Sequence, residues 1–115
     1  GYDAVAYAAL QPDAAPVAGS DQFVAEYKGA KWRFATAAHR DAFNAAPTRY
    51  APQYGGYCAW ALARNKLAPG DPAVWHLRDG KLYLNVNKSI QKQWRANIER
   101  DIANGDRNWP GVLAR

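Results

Sequence analysis

Apolar and polar positions alternate in two stretches of the chain and recur with helical period in others. From Phe23 to Phe34 the alternation predicts a β-hairpin. A Gly29-Ala30 loop puts glycine where a type II′ turn needs positive φ. That register pairs Tyr27 with Trp32 and Ala25 with Phe34 on one face, and Glu26 with Arg33 on the other. A Lys28-Gly29 loop would pair Ala25 with Trp32, a poorer aromatic match, so cross-strand pairing favours the first register. From Trp75 to Leu84 the signal is stronger, because Asp79-Gly80 is a type I′ turn dipeptide. It pairs Leu77 with Leu82 and Trp75 with Leu84 on a core face. His76 then faces Tyr83 on the opposite face, away from the core.

The helical signals lie between and after the hairpins. Thr36 is a fitting N-cap for a helix through Phe43, with His39 and Phe43 four apart on one face and Pro47 ending it. A second helical pattern runs from Cys58 to Arg64, after Gly55-Gly56 and before Asn65-Lys66 and Pro69-Gly70. Tyr54, Cys58 and Leu62 are spaced as one stripe of that helix. Asp71-Pro72 reads as a cap followed by a first-turn proline. A last helix, capped by Asn87 or Ser89, buries Ile90, Trp94, Ile98 and Ile102 and carries Lys92, Arg95 and Glu99 on its polar side. Gly105 stops it, and Trp109-Pro110 folds back over the core. The opening Gly1–Tyr7 segment reads as extended, and residues 11–20, with Pro12, Pro16 and Gly19, as loop. The fold class is α+β: two β-hairpins and three main helices around one aromatic-rich core.

Composition supports a single domain over residues 1–115. Hydrophobic residues make up 49%, with five Trp and seven Tyr, enough for one compact core. No run approaches the roughly 18 apolar residues of a membrane helix. The net charge is +5, but the cations are scattered: Lys28, Lys31 and Arg33 in one hairpin, Lys88, Lys92, Arg95 and Arg100 late in the chain. A nucleic-acid binder shows a denser basic patch, so the charge fits a solubilising surface or acidic partners. The chain opens at Gly1 rather than Met, and the expectation is an upstream segment, with any targeting signal, that was removed.

Cys58 is the one cysteine, so it has no internal disulfide partner. A thiolate is a nucleophile and a metal ligand, whereas a protonated buried Cys packs as a small hydrophobe. His39 and His76 are the only histidines. With Cys58 they make a possible set for a soft metal such as copper or zinc, although neither has the short spacing to Cys58 that a metal motif shows. His39 is the better partner; Tyr54, Tyr57 and His76 are weaker candidates. Tyr2, Tyr7, Tyr54, Tyr57, Tyr83 and the tryptophans are core or pocket lining. Asp3 is a lone carboxylate without an acidic partner. No phosphate-binding glycine loop, nucleophile elbow or zincin helix is present. No base is placed near Cys58 by spacing, which leaves a thiol enzyme with the least support.

Several stretches together resemble the YHS domain family, in particular its small exported bacterial members. They are the Gly1–Tyr7 segment, Tyr27–Ala35, Arg40-Asp41-Ala42-Phe43, Pro47-Thr48-Arg49-Tyr50, the Pro52–Ala59 segment and the Asp79–Asn85 segment. The resemblance spans nearly the whole chain. It implies a small α+β fold, a periplasmic home and, from family domains in heavy-metal ATPases, metal binding through cysteines. The metal-type pattern has Cys where this chain has Ala6, Ala35 and His39, so His39 alone carries a ligand side chain over. The expected function is an exported, non-enzymatic metal-handling protein, with copper as the metal and Cys58 and His39 as ligands. The alternative is a metal-free module binding a small ligand or a protein, in which Cys58 is structural or bridges two chains.

Overall fold

The computed structural model describes residues 1–114. Two antiparallel hairpins and five helices follow one another as β1 (Ser20–Tyr27), β2 (Ala30–Phe34), α1 (Ala37–Ala45), α2 (Pro47–Tyr50), α3 (Ala59–Ala63), β3 (Asp71–Arg78), β4 (Lys81–Asn85), α4 (Lys88–Ala96) and α5 (Ile98–Asn108). Short 3-10 turns cover Ala6–Ala9, Gln53–Gly56 and Gly111–Ala114. The fold is α+β, with each hairpin forming its own two-stranded sheet. No helix among the described residues is long and apolar enough to cross a membrane.

The second hairpin has the register its turn dictates. Trp75 pairs with Leu84, His76 with Tyr83 and Leu77 with Leu82, and Asp79 and Gly80 both take positive φ. The first hairpin corrects the expected register. Tyr27 pairs with Ala30 and Ala25 with Trp32, so the loop is Lys28-Gly29, again with positive φ at both positions. Two such residues match the twist of the flanking strands, and this outweighs the aromatic pairing. The shift is two residues, so the same side chains still face inward. Tyr27 and Trp32 meet diagonally instead, edge to face at 6.2 Å between centroids.

The helices follow their caps. Thr36 Oγ1 accepts the His39 N–H and Asn87 Oδ1 accepts the Ile90 N–H. Pro47 does not merely end α1 but opens the one-turn α2 at its first position. The expected last helix is two helices, broken at Asn97, whose φ of −133° and ψ of 43° are not helical. Gly105 does not stop it: the residue is buried inside α5, and an added Cβ would stand 2.6 Å from the Tyr54 hydroxyl. Asp71-Pro72 begins β3 rather than a helix, with Asp71 Oδ1 accepting the Ala73 N–H. The Gly1–Tyr7 segment is not extended throughout. It bends after Asp3 and enters the 3-10 turn at Ala6, with Tyr2 bridged to Ala18.

The aromatic-rich core has three parts. Ala25, Phe34 and Phe43 lie under the first hairpin and α1. Tyr7, Trp75, Leu82 and Leu84 lie on one side of the second hairpin, where the Tyr7 hydroxyl donates to the Pro72 carbonyl and burial raises its pKa to about 12. Tyr54, Ala59, Leu62, Tyr83, Trp94 and Val112 fill the space between the hairpin's other side and the helices. Both faces of β4 are therefore buried. His76 does not point to solvent but lies edge-on to Trp94 at 5.4 Å.

Candidate functional site

Cys58 is fully buried and caps the N-terminus of α3. It shares no helix stripe with Tyr54, because Tyr54 (φ 60°, ψ 33°), Gly55 and Gly56 form a left-handed turn just before it. The Cys58 N–H donates to the Ala68 carbonyl at 2.8 Å, and its thiol donates to Asn85 Oδ1 at 3.4 Å. Asn85 is also fully buried, and the same oxygen accepts the Trp60 N–H at 3.0 Å. The thiol thus fills a gap between α3 and β4 and serves as a weak donor.

His39 belongs to a different network. Its Nδ1 lies 2.6 Å from Asp3 Oδ2, and Asp3 is wholly buried. The same carboxyl group accepts the backbone N–H groups of Val5, Ala6 and Ala35 at 2.9, 3.0 and 2.9 Å. Asp3 has no acidic partner among the described residues, but it clamps the first turn of the chain to the end of β2 and to α1. Among the described residues no hydrogen bond joins the Cys58 and His39 networks. Among the described residues no group of three or more His, Cys, Asp or Glu side chains is placed to hold a metal ion.

His76 occupies a third place. Arg95 Nε donates to its Nδ1 at 3.1 Å, and Arg95 in turn reaches Asp13 at 2.9 Å. Burial, then the Arg95 and Arg78 charges, lower the His76 pKa below 6.5. Tyr54 is buried, and its hydroxyl donates to Asp106 Oδ1 at 2.8 Å; burial raises its pKa well above the usual phenol range. Tyr57 stacks at an angle on Trp109, 6.1 Å between centroids.

The structure assembles a site of another kind. A cleft of about 580 Å³ opens between the tip of the first hairpin and the α5 end of the molecule. Tyr27 and Trp32 form one wall and Trp109 another, all half-buried, with Pro52, Gln53, Tyr54 and Gly55 between them. Trp32 is fixed by its indole N–H, which donates to the Tyr27 carbonyl at 3.2 Å. Lys28, Lys81, Thr48 and Asp106 add polar groups at the cleft. Tyr54 is a non-glycine residue held in the left-handed region, a conformation that costs free energy and concentrates at functional sites. Gly55 follows with φ 61°, and a Cβ there would press on the Trp109 ring at 3.2 Å. Sequence reasoning assigned Tyr27 and Trp32 to the hairpin and did not single out Lys28 or Lys81. The available signal was a lysine at each hairpin tip, one in Lys-Gly and one after Asp-Gly.

The chain matches no protein-family model, no curated protein and no solved structure.

Proposed function

We propose that this domain is a non-enzymatic binding module for a small planar ligand, that the aromatic cleft is its site, and that Cys58 is structural. One observation carries the reading: half-buried aromatic rings from two separate core clusters converge on one open volume of about 580 Å³ beside a few polar groups. That size and mix of lining are those of small-molecule sites, which run to roughly 300–1,000 Å³. The periplasmic home is part of the proposal and rests on the YHS resemblance alone.

Titration with the fluorescent aromatic sulfonate 8-anilinonaphthalene-1-sulfonate tests this. One site per chain is expected, weakened at least tenfold in Trp32→Ala and unchanged in Cys58→Ala, with circular dichroism confirming folded protein. Binding that ignores Trp32→Ala, or no saturable binding by native protein, would overturn the cleft as a site.

The metal reading keeps one favouring observation. A carboxylate on one ring nitrogen orients a metal-binding imidazole, and Asp3 holds His39 Nδ1 while Nε2 has no hydrogen-bond partner among the described residues. In this reading His39 binds Cu(I) at the surface without Cys58. Competition against a chromogenic chelator tests it, and equal binding by His39→Ala removes it.

A further inference from the structure

We infer that the ligand of the cleft is an organic anion, an aromatic body bearing a carboxylate, sulfonate or phosphate group, and that Lys28 and Lys81 read its charge. This deepens the cleft reading and rests on it. Lys28 sits at the first position of the β1–β2 turn, and Lys81 immediately follows the β3–β4 turn. The two hairpins belong to different sheets, yet a lysine from the tip of each lines the same cleft. Both residues are exposed, and neither has a carboxylate partner within ion-pair distance among the described residues. Six arginines, Arg33, Arg40, Arg64, Arg78, Arg95 and Arg100, are paired with carboxylates, whereas Arg49 lies over the Tyr50 ring and Arg107 donates to Asn104 Oδ1.

Lys28 does have an aromatic neighbour. Its Nζ lies 5.4 Å from the centroid of the Tyr27 ring, which is itself a wall of the cleft. The ring holds the ammonium over the apolar surface without neutralising it. An aromatic ligand between Trp32 and Trp109 would gain contact on its faces. Its acidic group would gain charge-assisted hydrogen bonds from two lysines that lose no existing ion pair to make them. The cleft's one carboxylate, Asp106, is drawn toward the Tyr54 hydroxyl, which donates to its Oδ1 at 2.8 Å. It disfavours an anion deep against α5 and so orients the acidic end toward the hairpin tips.

The inference separates from the cleft reading by a pair of probes. 8-Anilinonaphthalene-1-sulfonate and N-phenyl-1-naphthylamine share the aromatic body, and only the first carries a charge. The sulfonate is expected to bind tighter, with an affinity that falls as sodium chloride is raised. In Lys28→Gln/Lys81→Gln the sulfonate loses roughly three- to tenfold in affinity while the neutral probe is unchanged. Both substitutions are on exposed side chains and keep the hairpin turns. Trp32→Ala weakens both probes. If Trp32→Ala weakens both but the lysine variant leaves the sulfonate unaffected, the anion inference fails and the cleft stands. A neutral probe that binds as tightly as the sulfonate overturns the inference in the same way. If neither probe responds to Trp32→Ala, the cleft itself fails.

Discussion

Replacing Asp3 by alanine removes four hydrogen-bond acceptor contacts from a fully buried carboxyl group. Among the described residues the Val5 and Ala35 N–H groups have no other acceptor, whereas the Ala6 N–H keeps a long bond of 3.3 Å to the Asp3 carbonyl. The His39 ring is partly exposed and can turn to water. Two partly buried donors left unpaired cost about 1–3 kcal/mol each, and the loss at Ala6 and His39 adds about 1 kcal/mol. The sum, about 3–7 kcal/mol, is a large share of the roughly 5–15 kcal/mol that holds a domain folded. With a urea m value of about 1.5 kcal/mol/M, the unfolding midpoint followed by Trp fluorescence drops by about 2–5 M. Asp3→Asn falls between, because its oxygen serves Val5 and Ala6 while its amide turns donors toward the Ala35 N–H. His39→Ala costs about 1 kcal/mol, having lost one bond at a half-exposed site. The clamp is refuted if Asp3→Ala stays within 1 kcal/mol of the parent, or if His39→Ala destabilises as much as Asp3→Ala.

Other positions give further tests. Gly105→Ala brings a Cβ to 2.6 Å from Tyr54 Oη and 2.9 Å from Cζ; the hydroxyl is tied to Asp106, so the clash costs about 1–3 kcal/mol in urea unfolding, and a neutral result would show that α5 gives way freely. The native Cys58 thiol, wholly buried, reacts with a disulfide probe on the order of 100-fold slower than in unfolded protein; equal rates would put it at the surface. For His76 the folded-state pKa lies below 6.5, so the unfolded chain takes up the proton first as pH falls. Its contribution is complete above pH 6.5 and is lost below it, toward the folded-state value. The urea midpoint is expected to fall between about pH 7.5 and pH 5, and by less in His76→Gln, where Asp13, Arg95, Arg78 and Lys88 still surround the site. An unaltered fall in that variant would assign the acid sensitivity elsewhere.

The two hairpins were unequally legible for a physical reason. At Asp79-Gly80 the dipeptide and the hydrophobic alternation agree on one register. At 28–30 the alternation fits both registers, because a two-residue shift exposes no core residue. Only turn strain distinguishes them, and Lys28 at φ 50° is a conformation that residue type does not advertise. The stripe of Tyr54, Cys58 and Leu62 looked helical because all three are buried; they reach the core from a left-handed turn, a cap and a helix in succession. The cleft was the least legible part. Its walls come from β1, β2, the turn before α3 and the segment after α5, so no local pattern contains it. The same holds for Asp3 and His39, 36 positions apart, each unremarkable until the fold joins them.

The division of the interior into three clusters has a bearing on motion. Phe34 and Phe43 make their ring contacts with each other and with Trp32 and Tyr27, not with the rings around Trp94. The expected consequence is that the first hairpin with α1 loosens as a unit before the second hairpin and the last helices, so that amide hydrogen exchange shows two levels of protection; a single level would refute it. The cleft lies along the seam between these units. On that expectation, whatever occupies the cleft would raise protection in the first hairpin without touching most of its amides.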